Sequence, residues 1–194
     1  MPDPNLVSEL RAIVDHHRVN GAKGLDAAIC HAILKSPSFT YQDIQDVIPA
    51  LMEAVDAALS SQECKEKRAI QRGWVVGLTA GAAQRGFNPE EIAYVMAYNG
   101  LRCAVDAAMI LAVYAFSLAW ALAQVSVRLG WPRDLKPKLH EAMVRGLADA
   151  ETHLGDEVEP QERKWMRENL VTGWRAGIVL AKFLPDSPLV AASR

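Results

Sequence analysis

The stretch Ala107-Ala108-Met109-Ile110-Leu111-Ala112-Val113-Tyr114-Ala115-Phe116-Ser117-Leu118-Ala119-Trp120-Ala121-Leu122-Ala123-Gln124-Val125-Ser126-Val127 contains no charged side chain. About 20 apolar residues suffice to span a bilayer as a helix. Composition argues for a different home: seven of these residues are alanine, and Ser117, Gln124 and Ser126 dilute the rest. Arg102 and Arg128 flank the two ends without an orientation bias. The corresponding all-apolar segment of the first half, Leu25 to Leu34, is too short to span anything. A central core helix surrounded by amphipathic ones accounts for both segments, and a membrane partner for Ala107 to Val127 is the lesser expectation.

The rest of the chain supports a helical protein. Hydrophobic residues make up 51% of the 194 positions and aromatics only 7%, an Ala- and Leu-rich balance that suits close-packed helices better than a β-sandwich. The pattern predicts eight helices. Asp3-Pro4 caps and opens the first, which presents Leu6, Leu10, Ile13, Val14 and His17 on one face and stops at Asn20-Gly21. The second runs from Leu25 to Lys35, apolar nearly all round and expected to be buried. Thr40 and Asp43 form a capping box for the third, with Leu59 near its end and a kink expected at Pro49. Ser60 and Glu63 cap a fourth that reaches Gly86. Asn88, Pro89, Glu90 and Glu91 open the fifth, with Phe87 stapling against Ile92, and Asn99-Gly100 is expected to interrupt it. The sixth spans Arg102 to Arg128 and ends at Gly130-Trp131-Pro132. A seventh runs from Asp134 to Gly155 and an eighth from Pro160 to Leu184-Pro185. The expected fold is all-α, a roughly eight-helix bundle in a single compact domain covering 1–194, with a loose tail over 185–194.

Two internal matches suggest that this bundle is two pseudo-repeated four-helix halves, about 3–86 and 88–184, around the buried apolar helix. Gly73-Trp74-Val75-Val76-Gly77 recurs as Gly173-Trp174-Arg175-Ala176-Gly177, with Ile70 and Leu170 before them and Gly81 and Ala181 continuing each ridge. Upstream, Asn20-Gly21 precedes Asp26-Ala27-Ala28-Ile29, as Asn99-Gly100 precedes Asp106-Ala107-Ala108-Met109. Gly73, Gly77 and Gly81 are four apart, hence on one helix face, and each costs about 1 kcal/mol of propensity relative to Ala. Tight helix packing explains that cost best. A ligand face walled by Trp74 and Trp174 is the alternative.

Motifs with specific chemistry are scarce. No P-loop, G-x-S-x-G, H-E-x-x-H, E-x-x-H or EF-hand spacing occurs, so no metal and no cofactor is expected. His16 and His17 are adjacent and point about 100° apart on a helix. Asp15, His17, Asp26 and His31 could converge across the first hairpin, with polar packing as the plainer account. Asp149, Glu151, His153, Asp156, Glu157 and Glu159 crowd a helix junction and read as solvated. Lys65, Lys67, Arg68 and Arg72, and again Arg163, Lys164 and Arg167, interleave with Glu63, Glu66, Glu162 and Glu168, the pattern of a solvated face with local ion pairs. A formal net charge of −2 gives no footprint for nucleic acid. Cys30, Cys64 and Cys103 form no C-x-x-C and read as small buried hydrophobes of a reducing compartment, and the first residues lack a secretion signal, so a cytoplasmic location is expected.

The sequence therefore supports first a non-catalytic all-α protein-interaction or assembly module, with a protein partner or self-association. Next comes a carrier of an apolar ligand or cofactor beside the glycine ridges and tryptophans, and third an enzyme of unknown class using Asp15, His17 and Asp26. The core-helix expectation has a direct check. The chain should fractionate with the cytosol and purify without detergent, and recovery only from membranes would reverse it.

Overall fold

The computed structural model describes residues 4–56, 63–106 and 109–181. Asp3, Leu59, Ser60, Ala107, Ala108 and everything from 182 onward, including the Leu184-Pro185 stop and the tail, lie outside the described residues, as do the side chains of Val55, Glu63, Cys64 and Lys65. Among the described residues the protein is all-helical: α1 (Pro4–Asn20), α2 (Leu25–Lys35), α3 (Tyr41–Asp56), α4 (Glu63–Gln84), α5 (Pro89–Asp106), α6 (Leu111–Arg128), α7 (Leu135–Leu154) and α8 (Pro160–Ala181), with a 3₁₀ turn over Gly155–Glu157.

Local chemistry sets most boundaries. The Thr40 amide donates to Asp43 Oδ2 at 2.6 Å and the Asp43 amide to Thr40 Oγ1 at 3.3 Å, a reciprocal capping box that starts α3. Asn88 Oδ1 accepts the Glu90 amide at 2.9 Å and starts α5. Gly86 and Gly130 adopt positive φ just past α4 and α6. The following amides, Phe87 N–H to the Ala82 carbonyl (3.2 Å) and Trp131 N–H to the Ser126 carbonyl (3.0 Å), close Schellman turns there. Arg85, just past α4, donates to the Ile33 and Ser36 carbonyls and so satisfies the C-terminal end of α2. Phe87 meets Phe39 and Tyr41 edge-on, with ring centroids 5.4 and 4.6 Å apart, tying the start of α5 to the start of α3.

Two expectations need correction. Asn99-Gly100 does not interrupt α5, which continues to Asp106, and the break falls between Asp106 and Leu111. Asn99 Nδ2 bonds back to the Val95 carbonyl within the helix, and Gly100 is needed for space: a Cβ there would collide with the Tyr114 hydroxyl. α2 is not buried all round, because Leu25, Ile29, Cys30, Ala32 and Ile33 face inward while His31 and Lys35 are exposed. The helix α3 continues through exposed Pro49, as expected of a helix that a proline bends rather than ends.

One hydrophobic cluster runs through all eight helices, from Leu6 of α1 to Leu170 of α8. α2 packs on α4 and α1 on α3. In the second half α6 packs on α8 and α5 on α7, and contacts of α4 with α6 and α3 with α5 join the two sets. α6 is the one helix, among the described residues, long and apolar enough to cross a membrane, yet 67% of its span is buried inside the protein. Its carboxyl end is tied to the start of α2 by an Arg128–Asp26 ion pair at 3.0 Å, both side chains largely buried. Each charge lies at the helix terminus whose dipole favours it.

Tyr114 is fully buried and its hydroxyl donates to the Met96 carbonyl at 2.7 Å, so it cannot swing away from an added methyl group. Gly100→Ala is expected to destabilise the protein by about 1–3 kcal/mol despite the better helix propensity of Ala. Urea melts of the two proteins check this, and an equal or higher midpoint for the variant would contradict the close approach.

Candidate functional site

The glycine faces are filled by neighbouring helices. A Cβ on Gly77 would lie 2.6 Å from the Asp26 carbonyl oxygen and 2.8 Å from Ile29 Cβ, and one on Gly81 would lie 2.9 Å from Ile33 Cβ. Gly73 is looser, its nearest neighbour being Leu25 Cδ2 at 3.1 Å. In the second half, Cβ atoms on Gly173 and Gly177 would run into the backbone carbonyls of Phe116 and Trp120. Thus α2 lies in the ridge of α4 and α6 in that of α8. The two tryptophans have different surroundings: Trp74 is fully buried, whereas Trp174 is half-buried and edge-on to His140, 5.9 Å between centroids. Burial holds the His140 imidazole below its usual pKa.

The upstream match does not occupy equivalent places. Asp26 and Ile29 of α2 face Gly77, but Trp120 and Ala123 of α6 face Gly177, while Asp106 ends α5.

The titratable residues of the first hairpin are dispersed. Asp15 pairs with Arg18 at 3.1 Å, His17 Nδ1 lies 2.9 Å from the Gly21 carbonyl oxygen, Asp26 is held by Arg128, and His31 is exposed. His16 meets Asn20, its neighbour one turn on. Around the α7–α8 junction, Asp149 accepts from the Tyr94 hydroxyl at 3.0 Å and buried Glu151 accepts from Arg167 at 3.0 Å. Asp156, Glu157 and Glu159 are exposed, and Arg163 donates to the Gly155 and Val158 carbonyls. No three metal-ligating side chains come together among the described residues. Burial pushes the Cys30 thiol up to about 11, with Asp26 adding to it, so this group stays protonated at neutral pH.

A site does form where α4, α6 and α8 meet. Arg68, Arg72, Val113, Phe116, Ser117 and Asn169 line a cavity of about 470 Å³, within the range of roughly 300–1,000 Å³ usual for small-molecule pockets. The Arg72 guanidinium carbon sits over the Trp120 ring, 4.7 Å from its centroid, and its Nε donates to the Arg68 carbonyl at 3.0 Å. Burial, and then the neighbouring charge of Arg68, lower the Arg72 pKa. Like charges four apart on a helix disfavour it by about 0.2–0.5 kcal/mol.

The sequence pattern placed both arginines on an ion-paired face. Arg167 pairs instead with Glu151 of α7, which is buried rather than solvated as expected, and among the described residues neither Arg68 nor Arg72 meets a carboxylate. Ser117 is 1% exposed, and its hydroxyl has no hydrogen-bond partner among the described residues. Ser126 on the same helix behaves ordinarily, donating back to the Ala123 carbonyl at 2.8 Å. The side-chain amide nitrogens of buried Gln71 and Gln124 also have no partner among the described residues. Sequence reasoning saw Ser117 only as dilution of an apolar run, because what brings it to Arg68, Arg72 and Asn169 is the crossing of three helices distant in sequence.

The glycine contacts yield a graded expectation. Gly173→Ala and Gly177→Ala press a methyl group onto a backbone carbonyl and should each cost about 1–3 kcal/mol, as should Gly77→Ala. Gly73→Ala meets only the flexible end of Leu25 and should be near neutral, helped by about 1 kcal/mol of helix propensity. Thermal melts of the four variants test the order, and equal effects at Gly73 and Gly173 would refute it. No family model matches the sequence, and no curated protein or solved structure matches it.

Proposed function

We propose that this chain is a non-catalytic helical binding module of two related halves that holds a small molecule in the α4/α6/α8 cavity. The observation that carries this is the cavity itself: it combines an apolar wall, Val113 and Phe116, with the Arg68 and Arg72 side chains and a buried Ser117 hydroxyl that has no hydrogen-bond partner among the described residues. Protein pockets for small molecules have this mixture, and unsatisfied buried polar groups cost stability unless something meets them. The non-catalytic part is supported by the dispersal of Asp15, His17, Asp26 and His31 to separate partners or to solvent. The relation between halves is supported by the like roles of Gly77 on α2 and Gly177 on α6, and by helix contacts that follow the same order in each half.

A second reading, assembly through protein contacts, is favoured by α8, which leaves Trp165 (49% exposed), Val171, Val179 and Leu180 uncovered.

Native mass spectrometry of the full chain, purified without denaturation, separates these readings. A small-molecule adduct is expected on wild type and absent from Val113→Trp, which fills the cavity without lowering the melting temperature. An adduct retained by that variant, or bare protein in both, would overturn the carrier reading. A dimer mass that disappears in Trp165→Ser would support assembly.

A further inference from the structure

We infer that the cavity selects a small organic anion, with a carboxylate or phosphate group held by Arg68 and Arg72 and an apolar body lying on Val113 and Phe116. This rests on the carrier reading and narrows it to a ligand class.

The two guanidinium groups lie one helical turn apart at the cavity and have no carboxylate partner among the described residues. Arg72 is already held at two points: its guanidinium carbon sits over the Trp120 ring, and its Nε is committed to the Arg68 carbonyl, which leaves the two terminal nitrogens for a ligand. A guanidinium oriented in this way presents parallel N–H donors that match a carboxylate or phosphate edge, with little rotamer freedom left to lose on binding. Ser117 lines the cavity and has a buried hydroxyl with no hydrogen-bond partner among the described residues, so no described group competes for its proton. Asn169 donates one amide N–H to the Trp165 carbonyl at 2.9 Å, which holds its side chain against its own helix.

Charge points the same way. The half-buried Arg72 carries its charge against both desolvation and the Arg68 charge, and its depressed pKa reflects that conflict. An anion between the two removes the repulsion and replaces lost hydration. A neutral apolar ligand does neither.

The test uses the full chain and three probes that share a six-carbon body: hexanoate, hexyl phosphate and hexanol, titrated by calorimetry at low and high salt. At least one anion should bind about tenfold or more tighter than hexanol, the scale of one charge-assisted hydrogen bond, and weaken as salt rises. The preferred anion distinguishes carboxylate from phosphate. Arg68→Gln and Arg72→Gln should each remove most of that preference while leaving hexanol binding alone, and Ser117→Ala should reduce it. If Arg72→Gln fails to fold, Arg68→Glu gives the same reading, since it supplies Arg72 with an internal carboxylate one turn away and should abolish anion binding in a folded protein.

Equal affinity for hexanol and both anions, or undiminished anion affinity in the arginine variants, would overturn the anion class and leave the carrier reading standing. No binding of any probe would overturn both.

Discussion

The fold depends on how closely α2 approaches α4, and α6 approaches α8. At Gly77, Gly173 and Gly177 the neighbouring main chain occupies the space where a side chain would begin. Close-packed interiors tolerate no extra methyl groups at such points, so helix axes are fixed by absent atoms as much as by present ones. Asp26 shows how tightly the parts are connected: its carbonyl faces Gly77 of α4, while its carboxylate is held by Arg128 at the end of α6. One residue thus registers three helices. Gly100 makes a related contact in α5, where the missing side chain admits the Tyr114 hydroxyl of α6.

The same close packing explains the site. α6 is bounded by α8 on its glycine side and by α4 on another, and its polar residues have to lie at one of these contacts. Ser126 uses a carbonyl of its own helix, but Ser117, and the amide nitrogen of Gln124, find no partner among the described residues. Apolar groups of similar shape would pack there at less cost. Ser117 lines a cavity that also carries Arg68 and Arg72, which meet no carboxylate among the described residues.

Local signals in the sequence were read well and non-local ones poorly, for physical reasons. The Thr40–Asp43 box and the Asn88 cap are complete within four residues, so their chemistry could be read directly and the helices begin where it says. Spacing of glycines four apart marked a shared face, and that face is where α2 and α6 come closest. Asn99-Gly100 misled because the same dipeptide serves two purposes: a glycine can end a helix by adopting positive φ, or stay helical to admit a neighbour. Only the position of Tyr114 decides between them. His31 was placed in the core from a run of apolar neighbours, but a helix of eleven residues on the surface needs a polar edge. Arg68 and Arg72 were assigned to local ion pairs because glutamates stand near them in sequence; in space their neighbours are α6 and α8.

Trp120 has a consequence of an optical kind. Its indole carries a guanidinium on one face and lies next to the cavity wall, while Trp74 is sealed in the core and Trp165 is open to solvent. The emission of an indole ring responds to a charge held against its face. Any event that shifts or neutralises Arg72 therefore alters the light from Trp120. The protein carries its own fluorophore beside the cavity, one of its five tryptophans.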